Sequence, residues 1–276
     1  LNSLVLQFLK KIKQTALIVK QIPNIFTLLN LVLGCLAMVF TLQNGIIMVA
    51  DETALSGYRL DIQSEQVYLA SMCIGLAAVV DFLDGFLARL LGATGEMGKQ
   101  LDSLADVVSF GVAPALFIYQ LLRLAVAKEA DGLSAGIGWL LPAFLLPAAA
   151  AWRLARFNID TDTPSHYFRG TPVPSVGLAL AGLPLIWWHA TEQWEVDLLT
   201  NKWFLYAIIA CCSWLMVSNL PVLSNKPKGR GLAKWLPYLL VAISGGTSAL
   251  FLGWWAVPVT FVAFVLFSVV FKKQIV

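Results

Sequence analysis

Residues 79–110 read VVDFLDGFLARLLGATGEMGKQLDSLADVVSF, and four aspartates in that stretch govern how the rest of the chain is read. Asp81, Asp84, Asp102 and Asp106 stand in otherwise apolar sequence. Ionisable groups at membrane depth are costly and are seldom retained without a function. Asp81 and Asp84 are three residues apart, Asp102 and Asp106 four apart, so each pair shares one face of a helix. The connection Leu91–Met97 is short and contains Gly92 and Gly95, which makes the two helices antiparallel neighbours whose acidic faces can converge. Four carboxylates held close repel one another unless a cation sits among them. Hard divalent cations take oxygen ligands, and Mg²⁺ commonly pairs carboxylates with substrate phosphate oxygens. Four carboxylates suffice for two metals, which together clamp the attacking and leaving oxygens of a phosphoryl displacement. Gly85 and Gly98 leave room for a ligand beside Asp84 and Asp102, and the Arg89 guanidinium can fork onto phosphate oxygens.

The surrounding chain is that of an integral membrane protein. Of its 276 residues, 59% are hydrophobic and 13% charged, with a mean hydropathy of +0.77. Charged residues make up ~25% of an ordinary soluble domain. Crossing a bilayer as a helix takes ~20 apolar residues. Eight runs qualify, at about 24–43, 67–91, 99–122, 136–157, 173–190, 203–221, 234–252 and 254–271. The last two are separated by a very short turn near Gly253 and read as two spans, or alternatively as a kinked pair or a re-entrant hairpin. The expected fold is an all-α polytopic membrane protein. Residues 1–22 are expected to form an amphipathic juxtamembrane helix carrying Lys10, Lys11, Lys13 and Lys20, a simple cytoplasmic tail being the alternative, and Pro23 suits the first turn of the next helix. Residues 23–221 make the transmembrane core, and 222–276 a basic loop and C-terminal hairpin.

Loop charges assign a side. Lys10, Lys11, Lys13, Lys20, Arg89, Lys99, Arg153, Arg156, Arg169, Lys226, Lys228, Arg230, Lys234, Lys272 and Lys273 fall on one side; Arg59, Arg123, Lys128 and Lys202 fall on the other. Positive residues mark the cytoplasmic face, so both termini are expected there. Asp81 lies ten residues before the end of its run, or about 15 Å along the helix, which sets the acidic cluster just below the cytoplasmic headgroups. Trp139, Trp187, Trp188, Trp203, Trp254 and Trp255 fall near span ends, as an aromatic belt would. Cys35, Cys73, Cys211 and Cys212 have no metal-ligand spacing, His166 reads as a solvent-exposed loop residue, and His189 lies on the far side.

The motif as a whole is Asp-x2-Asp-Gly-x2-Ala-Arg-x8-Gly-x3-Asp-x3-Asp. It resembles the CDP-alcohol phosphotransferase family, and every fixed position of that family's pattern is occupied. The resemblance implies a core of six transmembrane helices, usually homodimeric, with a metal site on the cytoplasmic side. It implies displacement of CMP from a CDP-linked lipid or alcohol by a second alcohol. By motif position, Asp81, Asp84 and Asp102 would be metal ligands for Mg²⁺ or Mn²⁺. Asp106 would contact the second metal and act as general base. Gly85, Ala88, Arg89 and Gly98 would line the nucleotide and diphosphate site.

Further segments resemble bacterial phosphatidylserine synthases. These are Pro23-Asn24-Ile25-Phe26-Thr27 with Asn30, then DSLADVVSFGVAP at 102–114, then Arg153–Asn158 followed by Phe168–Pro174. The resemblance puts the first segment, Pro23, Asn24 and Thr27 with Asn30, beside the cytidine and makes Arg153, Arg156 and Asn158 candidates for the acceptor. It implies CDP-diacylglycerol and L-serine as substrates, membrane lipids as surroundings, the bacterial inner membrane as location, and no nucleic acid. Glycerol 3-phosphate, an inositol phosphate and choline stay open as acceptors. From another class, a cation or proton transporter also uses intramembrane carboxylates, although Gly85, Arg89 and Gly98 in fixed register have no special purpose in one. Arg153 and Arg156 also read as topology anchors, and the basic loop at 226–234 as either a lipid-headgroup site or plain positive-inside bias.

Overall fold

A computed structural model describes residues 21–50, 57–62, 64–93, 95–129, 135–160, 168–223 and 232–272. All but the last two residues of the expected juxtamembrane helix, together with His166, Lys226, Lys228 and Arg230, lie outside them.

The first helix, α1 (Ile22–Leu42), has Pro23 in its opening turn, where the missing N–H has no intrahelical partner to lose. Its buried stripe is Pro23, Thr27, Asn30, Gly34, Ala37 and Thr41, while Ile25, Leu28, Leu29, Val32 and Val39 face outward. That is the membrane arrangement: apolar residues meet lipid, and small or polar ones meet the neighbouring helices. Strands β1 (Ile46–Ala50) and β2 (Tyr58–Ile62) follow as an antiparallel ribbon, Ile46 opposite Ile62 and Ala50 opposite Tyr58. An all-α reading did not foresee this ribbon. IIMVA and YRLDI carry the β-branched and aromatic residues that suit a short strand.

Helix α2 (Ser64–Leu90) packs along α1 and ends at Gly92, whose φ of +58° closes the helix. The Ala93 N–H bonds the Ala88 carbonyl at 2.9 Å across that end, as in a Schellman cap. The chain then turns into α3 (Glu96–Asp106), a π-helical turn (Val107–Val112) and α4 (Ala113–Ala127). Together these form one column from Glu96 to Ala127, whose most apolar window is 78% buried, against 28% for α1 and for α2. Pro114 accounts for the widened turn: it has no N–H for the Phe110 carbonyl and its ring crowds that position.

Around the column stand α5 (Leu145–Asp160), α6 (Val173–His189), a short α7 (Gln193–Leu199), α8 (Lys202–Val217), and a hairpin of α9 (Leu232–Leu252) and α10 (Ala256–Val270). A two-residue ribbon pairs β3 (Phe168–Arg169) with β4 (Pro221–Val222). Two glycines let helices close on the π-turn. A Cβ on Gly177 of α6 would lie 2.7 Å from Phe110 Cβ and 2.8 Å from its backbone, and one on Gly34 of α1 would run into Ser109. Gly253, at φ +56°, turns the final hairpin, and Gly245 faces Thr260 across it.

Among the described residues, four helical stretches are long and apolar enough to cross a bilayer: Ile22–Leu42, Glu65–Leu90, Glu96–Ala127 and Trp235–Val270. A fifth arises if α7 and α8, bent by 59°, count as one. The molecule is thus a mostly helical polytopic membrane protein. Several of the eight expected runs differ in detail. The run at 136–157 opens in two 3-10 turns, leaving a 16-residue α5, and α6 has 17 residues. Pro142 sits in the second of those turns, where a regular helix would lose a hydrogen bond.

Replacing Gly177 by Val should destabilise the protein by about 1–3 kcal/mol, as overpacking of a close contact does. Gly246→Ala, which has nothing within 4 Å of the new methyl, should leave the melting temperature in detergent unchanged. Equal melting of both variants would contradict the close-packed π-turn.

Candidate active site

The antiparallel α2 and α3 bring the two halves of the motif together. Asp81, Asp102 and Asp106 each place a carboxylate oxygen within 4.8 Å of the others. Asp84 stands beside this trio and accepts a hydrogen bond of 2.7 Å from Thr27 Oγ1 on α1. Asp84 and Asp106 are only 5% and 6% exposed. Carboxylates packed this closely and this far from water need a cation or shared protons. The donor set is all oxygen, which suits Mg²⁺ or Mn²⁺ rather than a thiophilic metal.

A cavity of about 680 Å³ opens from this cluster toward the α2–α3 connection. Asp84 and Asp102 form its acidic end. Pro23, Asn24 and Thr27 of α1, Gly85, Ala88 and Arg89 of α2, and Gly98 of α3 line the rest. Every residue expected at a nucleotide and diphosphate site therefore faces one space. Gly85 has nothing within 4 Å of where a Cβ would stand. Its missing side chain relieves no helix contact and instead leaves the cavity open beside Asp84. At Gly98 the nearest atom to such a Cβ is Asn24 Oδ1, at 3.2 Å, so that glycine admits the Asn24 side chain. Arg89 occupies the last turn of α2, where a cation also complements the helix C-terminus.

Ala93, Gly95, Glu96, Lys99 and Phe157 complete the wall, and none of these was singled out as a site residue from sequence. Their signal was weak: a Lys one turn before Asp102 reads as a topology anchor. Lys99 Nζ donates to the Asn158 carbonyl at 2.9 Å, and Asn158 Nδ2 donates to Ser103 Oγ at 2.9 Å. This couples the end of α5 to the turn of α3 that carries Asp102.

The three residues expected at the acceptor separate. Arg153 is 6% exposed, lies over the Phe157 ring at 5.9 Å, and is within electrostatic reach of Asp106. Its Nε is buried with no hydrogen-bond partner. Arg156 instead donates to the Val217 carbonyl at 2.9 Å and the Ser218 carbonyl at 3.2 Å, at the C-terminus of α8. Asn158 holds α3, as above. Arg156 and Asn158 are thus seen in framework contacts, whereas Arg153 is buried with its Nε unpaired.

A family model, CDP-alcohol phosphatidyltransferase, matches residues 20–214, the whole span from α1 into α8. The chain belongs to the CDP-alcohol phosphatidyltransferase family. Its similarity extends to proteins named CDP-diacylglycerol–serine O-phosphatidyltransferase. The Helicobacter pylori protein is 31% identical over 199 residues, 72% of this chain and 70% of that protein. The Mycobacterium tuberculosis protein is 30% identical over 207 residues, 73% of this chain and 60% of that protein. The Mycobacterium leprae protein is 36% identical over 155 residues, 54% of this chain and 47% of that protein. The match thus spans only 47% to 60% of the length of the mycobacterial relatives.

Gly85→Leu should leave the fold's melting temperature near that of the parent, because the new side chain enters open space. It should weaken binding of a CDP-linked lipid at least tenfold, or about 1.4 kcal/mol, by calorimetry or filter binding. Undiminished binding would contradict the assignment of the cavity.

Proposed function

We propose that the protein is a CDP-diacylglycerol–serine O-phosphatidyltransferase. The observation that carries this reading is the juxtaposition of the acidic trio with a glycine-cradled cavity holding Arg89. It is supported by family membership and by the relatives' names. In this reading CDP-diacylglycerol enters sideways from the bilayer and places its cytidine against Pro23, Asn24 and Thr27. Its diphosphate lies along Gly85, Ala88, Arg89 and Gly98. Asp81, Asp84, Asp102 and Asp106 would hold two divalent cations, Mg²⁺ or Mn²⁺. Bound there, those cations supply charge neutralisation for the diphosphate and for the departing CMP.

The chain's own residues then do the following. Arg153 receives the serine carboxylate: its fork geometry fits a carboxylate, and its Nε is an unused buried donor. Asp106 takes the proton from the serine hydroxyl as that oxygen attacks the lipid-side phosphorus of CDP-diacylglycerol. The bond from that phosphorus to the bridging oxygen breaks, and its electron pair leaves with CMP. Phosphatidylserine and CMP are the products, and the proton stays on Asp106 until released to water. Arg89 offsets the charge that builds on CMP. Attack is direct in this reading: the motif holds no Cys or His, and the hydroxyl of its Ser103 is engaged by the Lys99 carbonyl and by Asn158 Nδ2.

The same reading gives the chain eight membrane segments in all, a six-helix core at 23–221 and a C-terminal hairpin at 222–276. Both termini and the site face the cytoplasm of the bacterial inner membrane, and the working unit is a homodimer. The loop charges and the polar inner stripe of α1 support this topology.

Release of CMP from CDP-diacylglycerol, assayed in detergent with no ion gradient, tests the proposal. Serine should support release where glycerol 3-phosphate, inositol phosphate and choline do not. EDTA should abolish it, and Mg²⁺ or Mn²⁺ should restore it. Preference for another alcohol would overturn serine as acceptor, and full activity in EDTA would overturn the metal site. Separately, Asp106→Asn should lower kcat roughly 100-fold or more, within the usual range for losing a general base, while CDP-diacylglycerol still binds. Near-parental turnover in that variant rules out the proton-transfer role.

A further inference from the structure

We propose that Asn30 is a positioning residue for Asp106, holding from α1 the carboxylate that accepts the proton of the attacking alcohol. The inference rests on the phosphatidyl-transfer reading above. Asn30 belongs to the inward stripe of α1 and is 0% exposed. Its Nδ2 stands 3.5 Å from Asp106 Oδ1. The reverse amide orientation would set an oxygen against a carboxylate, so the N–H is the group that faces Asp106. The distance is long, as contacts of catalytic groups often are before substrate arrives. The backbone carbonyl of the same residue accepts a 2.9 Å bond from Ser109 Oγ. Ser109 lies on the π-turn that begins directly after Asp106. Asn30 thus grips the column at two points, the carboxylate and the irregular turn behind it. Gly34, one turn further along α1, permits that approach because a side chain there would strike Ser109.

A second observation separates this role from packing. Asn30 Oδ1 is buried and has no hydrogen-bond partner. A buried acceptor left unsatisfied lowers stability, and an apolar side chain of the same shape would remove that cost. Folding alone therefore does not favour an amide at this position. The cavity wall takes Pro23, Asn24 and Thr27 from α1 but not Asn30. The stretch that resemblance places beside cytidine thus divides in two. Thr27 presents its hydroxyl to Asp84 at 2.7 Å, and Asn30, three residues on, presents its amide to Asp106. One face of α1 supplies a donor to each half of the motif.

The test compares the parent protein with Asn30→Leu and Asn30→Ser, using CMP release with the preferred acceptor, binding of CDP-diacylglycerol, and thermal melting in detergent. Asn30→Leu should lower kcat roughly 10- to 100-fold, as misplacement of a reacting group does. It should leave the KM and binding of CDP-diacylglycerol unchanged and melt at the parental temperature or above. Asn30→Ser, which retains a donor, should recover part of kcat. Parental kcat in Asn30→Leu overturns the inference. So does a loss of kcat that comes with lower melting or lost CDP-diacylglycerol binding, because that pattern marks a packing role. A parent protein that releases no CMP with any alcohol would instead defeat the transferase reading, so the two failures are distinguishable.

Discussion

Carboxylates carried into apolar surroundings repel one another and lose hydration, and both costs grow as they approach. Here Asp81, Asp102 and Asp106 bring oxygens within 4.8 Å of each other. The packing of the fold answers this constraint. The column from Glu96 to Ala127 is the most buried of the candidate spans and carries two of the three. Its neighbours α1 and α2 hold the rest of the motif in register. Thr27 donates to Asp84, and the Asn30 amide faces Asp106. These contacts orient the carboxylates without supplying a compensating positive charge. What they leave is an acidic cluster whose charge a divalent cation would balance.

The same constraint explains why the column is irregular where it is. Asp106 is the last α-helical residue before the π-turn, and Pro114 ends that turn's hydrogen-bonding continuity. A widened turn shifts the face presented by everything after it. Above Asp106 the column offers Ser109 and Phe110 to α1 and α6, and glycines at 34 and 177 let both helices come close. The turn is held by side chains that belong to other helices, which is how an irregular backbone persists in an apolar setting.

Much of the site was legible in the chain. The spacings of Asp81, Asp84, Asp102 and Asp106 placed them on converging faces, and Gly92 and Gly95 marked a tight reversal. Pro23, Asn24, Thr27, Gly85, Ala88, Arg89 and Gly98 all line one cavity. The helix ends were less legible, because an apolar run looks the same whether it is helical throughout or opens in 3-10 turns, as at Ile137–Phe144. The ribbon of β1 and β2 was missed because its strands are only five residues each, within a connection read for charge. Lys99 and Phe157 carried only a weak local signal, one as a basic residue read for topology and the other as part of the Arg153–Asn158 stretch, since each is brought to the cavity by the packing of α3 and α5.

The sequence by itself determined that the chain enters the membrane and that two acidic pairs share one site. Those follow from composition and helical period, which are local properties. Only the tertiary structure decided how the basic residues and the polar stripe of α1 are used. Arg153 is buried with an unpaired Nε while Arg156, one turn away, binds the end of α8. Thr27 serves Asp84 while Asn30 serves Asp106. Residues three apart on a helix point in similar directions, so their spacing cannot separate them. What they meet depends on the neighbouring helix, and here a π-turn on one neighbour sets that meeting.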